Sequence, residues 1–111
     1  MKARPYKKIE GGVEPCEVEE ATHVAIHFPG PSNVIFLPVV QGNTTRRGTG
    51  RWTWNGSTDA PTIMPSVRTR GGDFLCHSWV TDGKVQFLGD CTHDLKGQTV
   101  DLLEVEDILG D

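Results

Sequence analysis

Two alternating runs, Phe74 to Val80 and Lys84 to Leu88, are joined through Thr81-Asp82-Gly83. An Asp-Gly step between alternating segments is the strongest short-range signal for a β-hairpin. This unit constrains the chain more than any other, because side chains alternate faces and a one-residue slip in register inverts every assignment. Two registers are open. A two-residue Asp82-Gly83 turn sets Thr81 opposite Lys84, directs Cys76 to the face that continues to Cys91 and His93, and puts His77 beside Asp90. A three-residue loop closed by a bulge at Gly83 sets Val80 opposite Lys84 and moves His77 onto the Cys91/His93 face. The second also gathers Leu75, Trp79, Val85 and Phe87 on one face against Ser78, Lys84 and Gln86, and is preferred for that segregation.

The rest of the chain has the same extended character. Thr22 to Phe28 alternates, with Val24, Ile26 and Phe28 on one face and His23 and His27 on the other; it reads as a half-buried strand. A Pro29-to-Asn33 turn leads to a second, largely buried strand, Val34 to Val40, in which Pro38 argues for an edge or a bulge. A polar loop from Gln41 to Gly50 precedes Arg51-Trp52-Thr53-Trp54, whose two tryptophans point the same way. Pro61 and Pro65 bracket a segment too short for a helix, and Val67 to Arg70 is extended up to the Gly71-Gly72-Asp73 turn. Asp90 to Gly97 reads as a loop, Thr99 to Val105 as a last strand and 106–111 as a tail. No stretch before Asp101 holds helical periodicity over two turns. The reading is an all-β or β-rich fold: about seven strands in a small, mainly antiparallel sheet or sandwich built from hairpins. With 111 residues there is room for one domain, 1–111, opening on a polar segment, 1–20.

Composition narrows the functional classes. The apolar fraction is only 36 %, yet three Trp and four Phe supply bulky core material. A net charge of −4 with dispersed basic residues lacks the concentrated positive stripe that nucleic acid requires; Arg46-Arg47 reads as part of a solvated loop. No apolar run reaches the roughly 18 residues of a bilayer span, and Met1 to Glu10 has no signal-peptide core. The expectation is a cytoplasmic protein with no membrane and no nucleic-acid partner. Three cysteines cannot all pair, so thiols as ligands are favoured over a disulfide framework.

Cys76-His77 and Cys91-Thr92-His93 place two cysteines and two histidines at the open ends of the hairpin. Thiolate and imidazole in a tetrahedral set select zinc over harder cations, so Cys76, His77, Cys91 and His93 are the candidate Zn²⁺ ligands. Three ligands, His77, Cys91 and His93, would leave a position for water and a catalytic metal; adding Cys76 would close the site. Asp90 is the nearest carboxylate for proton transfer, with Asp73 and Asp94 behind it. Ser66, after Pro65, is a candidate positioning hydroxyl or nucleophile, although spacing alone supplies it with no His/Asp partner. Cys16 lies in an acidic stretch that should raise its pKa and suits no thiol chemistry.

Taken together, Trp52-Thr53-Trp54-Asn55-Gly56-Ser57, Ala60-Pro61-Thr62, Pro65-Ser66-Val67, the unbroken block from Cys76 to His93, and Leu95 to Val100 resemble the domain-of-unknown-function family numbered 6527, common in bacteriophages and prophages. The resemblance runs from about Val24 to the last strand. An ammonia-monooxygenase label attached to many phage members fits nothing here, since that chemistry belongs to a large membrane copper assembly. Other members look like companions of bacterial ubiquitin-like conjugation genes, which implies a zinc-linked peptidase or isopeptidase acting on a ubiquitin-like or other protein tail. Relatives typically carry Cys-Pro-Gly-Cys on the first hairpin where this chain has Phe28-Pro29-Gly30-Pro31, and a longer, Cys-bearing insertion where it has Arg68 to Asp73. The alternative expectation is a non-catalytic, zinc-stabilised accessory or interaction module. Either way the expected partner is a protein or peptide.

Overall fold

A computed structural model describes residues 1–29, 34–41, 52–71 and 74–105. The strands are β1 (Ala3–Ile9), β2 (Gly12–Pro15), β3 (His23–His27), β4 (Val34–Gln41), β5 (Trp52–Trp54), β6 (Ile63–Gly71), β7 (Phe74–Thr81), β8 (Lys84–Phe87) and β9 (Thr99–Asp101), with one 3₁₀ turn at Val18–Glu20. They form a nine-stranded sheet in the order β2-β1-β3-β4-β5-β6-β7-β8-β9. Every neighbouring pair is antiparallel except β4 and β5, which run parallel. Among the described residues no helix is long and apolar enough to cross a membrane.

The β-rich, mainly antiparallel reading therefore holds, with nine strands in place of about seven. The two additional strands come from the polar N-terminal segment. β1 is anchored by buried Ala3 and Tyr6 and pairs with β3 from Ala3↔Ile26 to Tyr6↔His23, while Gly11, at φ 86°, makes the turn to β2. Short alternation broken by lysines hid this strand, because its apolar side chains are few. Covered by β1 and β4, β3 is buried at Val24, Ala25 and Ile26 alike, so it is a central strand with two dry faces, not a half-solvated one.

Pro38 lies inside the sheet, opposite His23. Val39 N–H donates toward β3, to Thr22 O at 3.0 Å, so the N–H that Pro38 lacks would point to the other edge. There β5 pairs only from Val39 onward, and no ladder bond is lost. The 30–33 turn, most of the 41–50 loop with Arg46 and Arg47, Asp73, and the 106–111 tail lie outside the described residues.

The sheet coils until its two ends share a core, as right-handed strand twist accumulated over many strands requires. Ala3, Val24, Ile26 and Phe28 pack with Trp54, Ile63, Val67, Val80, Val85, Phe87 and Leu102. A smaller cluster of Tyr6, Ala25 and Val105 fills the other side of β3. Backbone bonds close the seam: Leu103 N–H to His27 O and Val105 N–H to Met1 O, both at 3.0 Å. Fully buried Phe28 and Phe87, edge to face at 6.1 Å, contribute about 1.5–3 kcal/mol each.

The β7–β8 hairpin takes the two-residue turn. Thr81 opposes Lys84 and Val80 opposes Val85, which overturns the preference for a Gly83 bulge. Asp82 and Gly83 have φ of 52° and 76°, the paired positive values of a primed turn whose twist matches the strands. Segregating Trp79 with the apolar set misled the reading, since Val80, Val85 and Phe87 point into the core and Trp79 stays half-exposed.

Candidate active site and thiol cluster

With that register, consecutive residues of β7 serve opposite sides of the sheet. Cys76, Ser78 and Val80 face the core, each no more than 1 % exposed; Leu75, His77 and Trp79 are half-buried on the outer side. Across β6, Arg68 pairs with His77 and Val67 with Ser78, but the next pair is Ile63↔Val80. The residues between form a bulge in which Met64, Pro65 and Ser66 stand against Trp79 alone. Bulges of this kind re-aim a side chain, and the Met64–Pro65 peptide within it is cis. Trp52 Nε1–H, from β5, donates to Ser66 O at 3.2 Å and holds the bulge.

Ser66 Oγ lies 2.9 Å from His77 Nε2, and His77 Nδ1 lies 3.2 Å from Asp90 Oδ2. A hydroxyl, an imidazole and a carboxylate are thus linked in series at the distances expected of a nucleophile, its base and the group that orients the base. Asp90 arrives through a tight turn after β8. Leu88 N–H donates to His77 O at 2.9 Å, and Cys91 N–H returns to Leu88 O at 3.2 Å, so the turn hangs from the backbone of the histidine it serves. His77 is 27 % and Asp90 52 % exposed at the side chain; substrate can reach the group.

On the inner side of the same segments Cys76, Cys91 and His93 bring their ligand atoms within 4.8 Å of one another, all buried. His93 Nε2 is 3.4 Å from Cys76 Sγ, and the Phe87 ring packs edge-on against His93 at 4.6 Å. Cys91 Sγ accepts His77 N–H and donates back to His77 O, both at 3.2 Å. Two soft thiols and an imidazole in a dry pocket fit a zinc-type ion, which takes four tetrahedral ligands. A metal on Nε2 would place the ring proton on Nδ1, which here accepts Leu95 N–H at 3.3 Å; loading therefore exchanges that bond for the coordinate one.

The structure thus gathers three of the four expected metal ligands and sends the fourth, His77, through the sheet to Ser66 and Asp90. Spacing could not pair Ser66 with His77, because the regular β6–β7 ladder ends at Val67 and Ser66 lies in the bulge beyond it. The two-residue-turn register already placed His77 beside Asp90. Asp94 is exposed and its carbonyl accepts from Gln98 Nε2. His23 Nδ1 contacts Thr22 Oγ1 at 2.9 Å, and neither it nor His27 joins the thiol cluster. Burial and the acidic neighbours Glu20, Glu17 and Glu14 push the Cys16 thiol up, against the opposing pull of Lys7.

A shallow groove of about 250 Å³, lined by Trp79, Thr81, Asp82, Lys84, Gln86 and Thr99, includes the tryptophan that faces the Ser66 bulge. A larger concavity of about 830 Å³ is built from β1 to β4, around Lys8, Val13, His23 and Phe36, and holds none of the serine, histidine, carboxylate or thiol groups described above.

Comparison with curated proteins and with solved structures gave no match. A family profile described as bacterial ubiquitination-like system serine protease (BubE) matches residues 14–88, about two thirds of the chain. The span contains Ser66, Cys76 and His77; Asp90, Cys91 and His93 follow just beyond it. The match supports the ubiquitin-like-protease side of the resemblance read from the sequence, and it describes serine chemistry where a zinc peptidase was expected. This chain belongs to the bacterial ubiquitination-like system serine protease family.

Proposed function

We propose that the protein is a serine peptidase that cleaves a protein tail, with Ser66 as nucleophile, His77 as general base and Asp90 as the carboxylate that orients it. The observation that carries this reading is the unbroken series Ser66 Oγ–His77 Nε2–Asp90 Oδ2 at 2.9 and 3.2 Å. Asp90, accepting Nδ1–H, leaves the Nε2 lone pair free toward Ser66 and stabilises the imidazolium that forms. Ser66 Oγ bonds to the scissile carbonyl carbon as its proton passes to His77 Nε2. That proton then goes to the leaving nitrogen as the C–N bond breaks, leaving an ester on Ser66. His77 next takes a proton from water, which attacks the ester and releases the acid and the free serine.

The family description supports a ubiquitin-like protein as the source of the tail. Cys76, Cys91 and His93 would hold a zinc ion as a structural cross-link. The trio supplies three of the four ligands of a closed site, but at 1 %, 4 % and 7 % exposure it leaves no open approach for a substrate carbonyl, and this burial favours a staple over a hydrolytic metal.

The test is a fluorophosphonate probe with mass mapping of the adduct, beside cleavage of a ubiquitin-like fusion by wild type and Ser66→Ala. An adduct on Ser66 and a loss of at least about 10³-fold in the variant are expected. Undiminished cleavage by Ser66→Ala would overturn the assignment, and the absence of both adduct and cleavage would return the chain to the interaction-module reading.

A further inference from the structure

We infer that the thiol–imidazole cluster is a positioning device for the serine peptidase site: an ion held by Cys76, Cys91 and His93 inside the sheet sets the Asp90–His77 contact outside it. This rests on the serine-peptidase reading above. The argument starts from chain order. Cys76 adjoins His77 and Asp90 adjoins Cys91, so each segment carries one member of each group on opposite sides of the backbone.

The segment bearing Asp90 is tied to β7 by hydrogen bonds. Past Leu88 it touches β7 through Cys91 Sγ on the His77 amide and carbonyl, and through Thr92, whose N–H donates to Leu75 O at 2.9 Å while its Oγ1 accepts Leu75 N–H at 2.9 Å. A half-exposed carboxylate gains little from a surface pairing with histidine, and orientation at an active site demands placement within about 0.5 Å. A cross-link between β7 and this turn would add a coordinate bond, stiffer than these hydrogen bonds, to the same two segments. Loading would take the proton from Cys91, surrendering its bond to His77 O while making Sγ a charged acceptor for His77 N–H. The His77 carbonyl keeps Leu88 N–H. Cys91 is thus a positioning residue for His77, comparable to the partners that orient ligands around a metal site.

The experiment loads the full chain with zinc, or with cobalt for its thiolate absorption, and strips it with a chelator. Circular dichroism monitors the fold and ¹⁵N NMR reads the His93 tautomer, expected to move from Nε2–H to Nδ1–H on loading. Probe labelling of Ser66 is then compared in wild type and Asp90→Asn, with and without metal. Stripping is expected to slow wild type about 10- to 100-fold and Asp90→Asn by less than about threefold, since the contact it acts through is already gone. Equal factors in the two proteins, or no effect on wild type, would overturn the inference, as would failure to bind one ion per chain. If the stripped chain unfolds, exchanging zinc for the larger cadmium in the folded protein makes the same comparison: a rate change in wild type that Asp90→Asn does not share supports the inference, and equal changes refute it. A loaded wild type that never labels at Ser66 would instead refute the peptidase reading, and the NMR contact between His77 and Asp90, present only with metal, would still report the positioning.

Discussion

Replacing Asp90 by Asn probes the least sheltered member of the series. The carboxylate makes one hydrogen bond to His77, at 3.2 Å, and its side chain is 52 % exposed. A hydrogen bond to a charged group is worth about 1.5–3 kcal/mol when secluded, and half exposure moves this one toward the lower end. At 1.36 kcal/mol per tenfold, the expected loss is about ten- to a hundredfold in kcat, with KM little changed because no substrate contact is removed. A fully buried triad Asp loses about 10⁴ on the same change, so the prediction separates this wet geometry from a dry one. Steady-state cleavage of a ubiquitin-like fusion, or the probe-labelling rate, gives the number. A loss below threefold would mean that Asp90 does not orient His77. A loss near 10⁴ would mean that the carboxylate is sealed from water in the working enzyme, contrary to its exposure here.

Other perturbations test the scaffold. Gly83→Ala puts a Cβ 3.1 Å from Asp59 O and 3.2 Å from the Ala60 Cα at a φ of +76°, and should cost about 2 kcal/mol in a denaturant midpoint measurement; an unchanged midpoint would contradict the primed turn. Phe87→Ala removes a ring packed on both Phe28 and His93 and should cost about 3–5 kcal/mol while weakening metal retention. The hydrogen bond and charge of Lys84, then Lys2, hold Asp101 below its ordinary carboxylate range. Its contribution to stability is therefore present above pH about 4 and fades as pH falls through the depressed folded value. Asp101→Asn should remove that part of the acid dependence of Tm, and identical profiles would mean that the exposed Lys84–Asp101 pair contributes nothing to stability.

Periodicity of two, turn chemistry at Asp82-Gly83 and the clustering of thiols and imidazoles were all legible in the chain. They determined a β-rich fold and the β3–β4 and β7–β8 antiparallel pairs, and they singled out Ser66, Cys76, His77, Asp90, Cys91 and His93 as candidates. These are local signals, carried by neighbours within one or two strands. β1 escapes a reading of periodicity because its apolar side chains are few and interrupted by lysines, and the hairpin register does so because Trp79 is bulky yet not core.

Which of these residues come together was decided only by the tertiary structure. Cys76 and His77 are adjacent letters with identical prospects as ligands until the register sends one inward to His93 and the other outward to Asp90. Ser66 Oγ comes within 2.9 Å of His77 Nε2 where β6 bulges against β7. A strand's alternation fixes that neighbours part ways; which way each goes depends on pairing with other strands, and that is a property of the folded sheet.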